Sequence, residues 1–144
     1  MAGLADLATK MRGKAARVKD YGNAAKQHVA ASAVRHLVNI TPVDTSQALS
    51  NWQVGLGFPA IFPVSAYFEG KAGSTKRQSA GAAYEEALAV INLSKPGQPI
   101  YLSNVLPYIK ALDGGSSTQH PGGFVRASTI VGIASLRSFK FDWG

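Results

Sequence analysis

Between Leu4 and Ile40 the apolar and small residues fall on one line: Leu4, Leu7, Met11, Ala15, Val18, Gly22, Ala25, Val29, Ala33, His36 and Ile40 recur at steps of three or four. That spacing is one face of an α-helix, so residues 1–40 are read as helical. Lys10, Arg12, Lys14, Arg17 and Lys19 fall mostly off the line, as a solvated or partner-facing side would. Gly13 and Gly22 each weaken a helix by about 1 kcal/mol relative to alanine. They predict a break near residues 21–23, with the better helix over residues 23–39. The face is rich in alanine, which allows close backbone approach but buries little area per residue. Such a helix needs a neighbour.

Pro42 disfavours helical geometry at Thr41 and stops the helix. Asp44 or Thr45 is then placed to cap a short helix over residues 46–50 through a side-chain oxygen. Trp52 opens a strand over residues 52–57, which alternate with period two. Pro59 and Pro63 among aromatics make residues 58–69 an ordered irregular connection, and residues 71–79 a polar loop. A second helix is expected over residues 80–91, with Tyr84, Leu88 and Ile91 on one face and Glu85 and Glu86 on another.

A turn at residues 94–99 leads to a strand over 100–104. A short helix follows over 107–112, with Pro107 in its first turn, where a missing donor costs nothing. Residues 113–117 end it. Phe124, Ala127, Ile130, Val131, Ala134 and Leu136 fit helix better than strand over residues 124–136, and the alternation of Phe139, Phe141 and Trp143 predicts a terminal strand over 137–144. No repeat is visible. The expected class is α+β: a long N-terminal helix packed with a small, mostly antiparallel sheet and one or two further helices.

At 144 residues the chain is expected to form a single domain, a helical region 1–40 and an α+β body 41–144. With 46% hydrophobic residues it can bury a real core, which excludes general disorder. Only 16% of residues are charged, against about 25% in a typical soluble domain. Partners are expected to cover part of that surface. The net charge of +7 is uneven: residues 1–40 carry seven Lys or Arg against two Asp, and the remainder eight against six acids. Most of the excess therefore rides on the first helix, where it can meet phosphates or an acidic protein surface. The absence of cysteine excludes a disulfide framework, thiolate metal sites and a cysteine nucleophile. No run approaches the ~20 apolar residues of a spanning helix, and no signal-type segment opens the chain, so no membrane partner and an unprocessed chain are expected.

Converging catalytic groups are not found. His28 and His36 lie two turns apart, too far to share a metal, and are read as structural. His120 precedes Pro121 and Gly122 in a loop without a partner for base catalysis. Glu85 and Glu86 point to different parts of a helix surface. Gly55 and Gly57 only begin a dinucleotide fingerprint, and Gly114 to Ser117 lack the lysine of a phosphate loop. No enzyme, cofactor or metal is expected.

Three segments, taken in order, resemble the small tail-completion or neck proteins of tailed bacteriophages, which act at the head-to-tail junction. The first runs from Thr41 through Pro42, Val43, Asp44, Thr45, Ser46 and Leu49 to Trp52. It resembles the family's Pro-Val-Asp-Thr-Gly signature followed by Leu and Ser-Trp, with Ser46 where the family usually has Gly and Gln47 where it often has Arg. The second carries Asn104, Pro107, Tyr108, Leu112, Asp113 and Gly114, similar to the family's strand, Asn, Pro-Tyr and Leu-acidic-x-Gly run. The third, Pro121 to Arg126 with Gly123 and Phe124, resembles the loop into the last helix, while residues 71–91 look like an insertion.

The resemblance implies a virion structural protein made in the bacterial cytoplasm. It would form a homo-oligomeric ring, hexamer or dodecamer, around the DNA channel, touching the connector or adaptor on one side and tail terminator or tail tube proteins on the other. Lys10, Arg12, Lys14, Arg17 and Lys19 are the candidate contacts with DNA or a neighbouring subunit. The competing expectation is a basic nucleic-acid-binding protein that uses the N-terminal helix nonspecifically.

Overall fold

The structure, a computed structural model, describes residues 3–115, 119 and 122–143. Helix α1 spans Leu4–Ile40, 37 residues and about 55 Å. Then follow α2 (Gln47–Ser50), β1 (Gln53–Leu56), α3 (Lys76–Ile91), β2 (Ile100–Ser103), α4 (Ile109–Asp113) and α5 (Phe124–Ala134), with a 3-10 turn at Ser135–Arg137. The class is α+β as expected. The sheet is one antiparallel pair, Gln53 opposite Ser103 and Leu56 opposite Ile100.

Helix α1 runs unbroken through Gly22, contrary to the expected break at residues 21–23. Tyr21 explains the continuity: its ring meets those of Phe139, Phe141 and Trp143 at centroid distances of 5.9, 5.6 and 5.2 Å, bracing the helix where glycine weakens it. Those three aromatics are consequently not a strand. Alternation puts them on one side of the chain, and the apolar surface they find is α1 rather than a sheet edge.

The body packs on the second half of α1. Ala30, Ala33, Val34, Leu37 and Val38 are buried there, against α5 and α3. Helix α3 begins at Lys76 rather than Ala80, because a turn at residues 72–75 leads straight into it, so the polar loop expected over 71–79 is short. Its buried face is Ser79, Ala80, Ala83, Ala87 and Ile91. Tyr84 and Leu88, expected to lead that face, are half-buried at its margin. Alanines let α3 and α1 approach closely, and the bulky core residues Leu49, Trp52, Ile91 and Phe124 fill the space beside them. Pro107 precedes α4 in an exposed turn instead of sitting in its first turn.

Candidate interaction surfaces

The segments that carry the resemblance come together. Pro42, Asp44, Thr45, Tyr108 and Leu112, with Gln119, line one shallow pocket of about 260 Å³. Beneath it, Thr41 is fully buried and joins helix to core: its Oγ1 donates to Leu37 O at 2.6 Å and accepts from Trp52 Nε1 at 2.8 Å. Trp52 meets the Phe124 ring edge-on at 6.4 Å, so the first segment packs against the helix entered by the third. Asn104 Nδ2 donates to Ala48 O at 2.8 Å and ties the second segment to α2.

Neither Asp44 nor Thr45 caps α2. The N-cap is Ser46, in a left-handed conformation with φ 69 and without a side-chain cap bond. Asp44 is used elsewhere: its Oδ1 accepts from Ala72 N at 2.7 Å and its carbonyl from Gly73 N at 2.8 Å, fixing the turn before α3. Ser46 is buried, with its Oγ 2.9 Å from Thr75 Oγ1.

Tyr108 is 41% exposed, with its hydroxyl 3.4 Å from Gln47 Oε1; Ile109 is the side chain that α4 buries, with Leu112 packed beside the core. Burial raises the Tyr108 phenol above its ordinary value, and Tyr67 is raised by burial and then by Glu86.

Gly114 closes α4 with ordinary helical geometry, φ −78. Gly123 starts α5 at φ 71, its N–H donating to Asp113 O at 2.7 Å while Val125 N donates to Asp113 Oδ1 at 3.1 Å. Asp113 is therefore the cap that sequence reasoning missed. So was Asn51, whose amide bonds Val64 in both directions at 2.8 and 2.7 Å and secures the irregular connection. Gln119 does the same for Val43, accepting from its N–H and donating to its carbonyl at 2.8 Å. Each of these polar residues faces backbone far away in sequence, and no local pattern announces that. Ser116, Ser117, His120 and Pro121 lie outside the described residues.

The histidines on α1 serve the α1–α5 contact. His36 Nδ1 is 2.7 Å from Ser128 Oγ, and His28 Nε2 is 3.2 Å from Ser135 O with the Phe139 ring tilted against the imidazole at 5.0 Å. Among the described residues, no group of three His, Cys, Asp or Glu could hold a metal, and no helix is long and apolar enough to cross a membrane.

The larger surface is the first half of α1. Leu4, Leu7, Met11 and Val18 are 85%, 54%, 62% and 59% exposed, an apolar stripe on an arm that projects from the body. Lys10, Arg12, Lys14 and Lys19 are exposed, and Arg17 is half-buried with its Nε unpartnered. Lys10 pairs with Asp6 at 3.4 Å. Helical spacing places Lys10, Lys14 and Arg17 on one side of the stripe and Arg12 and Lys19 on the other. The cations flank an apolar seam instead of forming one basic face.

In line with that seam lies a groove of about 450 Å³ floored by Ala25, Val29, Ala30 and Ala33 of α1 and walled by Ile100, Leu102, Ile133 and Leu136. Lys26 stands at its edge, with Nζ donating to Lys95 O at 2.8 Å and Gln98 O at 2.6 Å; burial lowers this ammonium below its ordinary value. Phe58, Ile61 and Phe62 form a third exposed apolar group on the irregular connection. No family model, curated protein or solved structure matches the chain.

Proposed function

We propose that this chain is a structural protein of the bacteriophage virion, a neck or tail-completion protein. Copies form a homo-oligomeric ring around the DNA channel and join connector to tail. The observation that carries the reading is at Ser46. The family pattern has glycine there, and the backbone takes φ 69, a conformation that glycine adopts freely and other residues adopt at a cost. The residue that departs from the pattern thus sits in a geometry that suits the pattern's usual glycine.

Two further features support the reading. The motif segments meet in one corner of the fold and are occupied with holding it together, so their chemistry is structural. The arm, the groove and the aromatics of the irregular connection leave several separate apolar surfaces uncovered, more than a protein that works alone normally exposes. Function in this reading is interface formation and requires no reaction. The nucleic-acid reading draws on the same arm, but a seam of Leu, Met and Val between the cations suits a protein surface better than a phosphate backbone.

The test is composition and assembly of particles. Mass spectrometry of purified particles is expected to find the chain in multiple copies per particle. Disrupting its gene is expected to leave heads and tails unjoined until the protein is added back. Its absence from complete particles would refute the proposal.

A further inference from the structure

The bulky and the small residues of α1's apolar line lie at opposite ends. Leu4, Leu7, Met11 and Val18 project into solvent on the arm, whereas Ala25, Val29 and Ala33 floor the groove. A stripe of projecting side chains fits a trough with a small-residue floor and apolar walls. The two also match in length: at about 1.5 Å per residue, Leu4 to Met11 runs about 10 Å and the floor from Ala25 to Ala33 about 12 Å. Within one chain they cannot meet, because one continuous helix holds them about 32 Å apart.

We infer that the groove is filled by the N-terminal arm of a second copy of this chain, with Leu4, Leu7 and Met11 of one copy seated over Ala25, Val29 and Ala33 of the next. Gly22 has a role in this contact. Glycine is destabilising inside a helix, and a Cβ at Gly22 would meet nothing within 4 Å, so no contact within the chain calls for it. It lies in the line between Val18 and Ala25, where bare backbone lets a second helix come close. Lys26 is the one charged side chain among the residues that line the groove. Lys26 at its edge is turned toward the carbonyls of Lys95 and Gln98.

The area of the contact says how copies would be arranged. A helix about 10 Å wide lying along about 12 Å of groove floor covers on the order of 240 Å² counting both sides. Stable interfaces begin near 1,200 Å², so one arm in one groove is a weak pair. Arm and groove are different surfaces, and a contact of that kind repeats head to tail and gains stability when the ring closes. The arrangement as a ring rests on the neck reading above; the contact itself does not.

The chain contains no cysteine, which makes the contact directly testable by cross-linking. Full-length Leu7→Cys and Ile133→Cys, both exposed positions, carry different tags and are mixed under mild oxidation. The expected result is a disulfide between the two chains formed at least tenfold faster than between Leu7→Cys and Ile61→Cys, an exposed position outside the groove. The excess persists at high salt, because an apolar contact is not screened. Equal rates at the two positions overturn the inference. A chain carrying both Leu7→Cys and Ile133→Cys separates this inference from the neck reading. Products larger than two copies that stop at one closed size support both, and products that stop at two copies keep the arm in the groove but contradict the ring.

Discussion

Replacing Ser46 by alanine and by glycine separates two quantities that the structure puts at one residue. The left-handed backbone at Ser46, φ 69, costs an L-residue about 1–2 kcal/mol. The bond of its Oγ to Thr75 Oγ1 at 2.9 Å contributes about 1 kcal/mol. Thr75 keeps a second partner, donating to Phe68 O at 2.6 Å, so removing Ser46 Oγ does not orphan it. Ser46→Ala loses the bond and keeps the strain, and is expected to cost about 1 kcal/mol. Ser46→Gly loses the bond and sheds the strain, but adds about 0.5–1 kcal/mol of chain entropy to the unfolded state. Its stability should fall within about 0.5 kcal/mol of the parent. Urea unfolding followed by tryptophan fluorescence gives both values from the midpoint at constant slope. The glycine variant is predicted to be the more stable of the two. An alanine variant that equals or exceeds it would refute the assignment of strain to this residue, and with it the observation that links Ser46 to the family pattern.

Other perturbations give separate readings of the same fold. Trp52→Ala removes a buried ring and leaves Thr41 Oγ1 without its indole donor, so a loss of about 3–5 kcal/mol is expected in urea unfolding followed by far-ultraviolet circular dichroism. Asp113→Ala uncaps α5 at Val125 N and is expected to cost about 1 kcal/mol, while Asp113→Asn, which can still accept that bond, costs less. Tyr67 and Tyr108, whose phenols are raised, are expected to ionise later than an ordinary tyrosine in an ultraviolet titration. Because the folded values lie above the unfolded one, their contribution to stability is complete below the ordinary tyrosine value near 10 and is lost as pH rises through the raised values. Unfolding at pH 9 and pH 11 checks the sign.

The sequence was most legible where periodicity is strong and local. The run from Leu4 to Ile40, the strands about Val54 and Leu102, and the helix from Phe124 follow from spacing alone. It was less legible where a distant partner decides. Phe139, Phe141 and Trp143 alternate like a strand but gather on Tyr21, more than a hundred residues earlier in the chain. Asp44 has the identity of a cap, yet its carboxylate accepts from Ala72 N, a partner 28 residues on, and Ser46 opens α2 instead. Of the candidate site, the arm's cations and stripe were readable from helical spacing. The groove was not, since its walls come from β2, α5 and the 3-10 turn after it, and only folding brings Ile100 and Ile133 to the same trough.

Where copies of this chain sit in a particle decides its function. If the chain is the neck protein proposed above, averaged images of a phage particle carrying it, resolved well enough to trace helices, are predicted to show a closed ring of this fold between connector and tail. The 37-residue helix of each copy should lie against the next copy. A head-to-tail junction fully accounted for by other proteins, with no density that fits this chain, would contradict it.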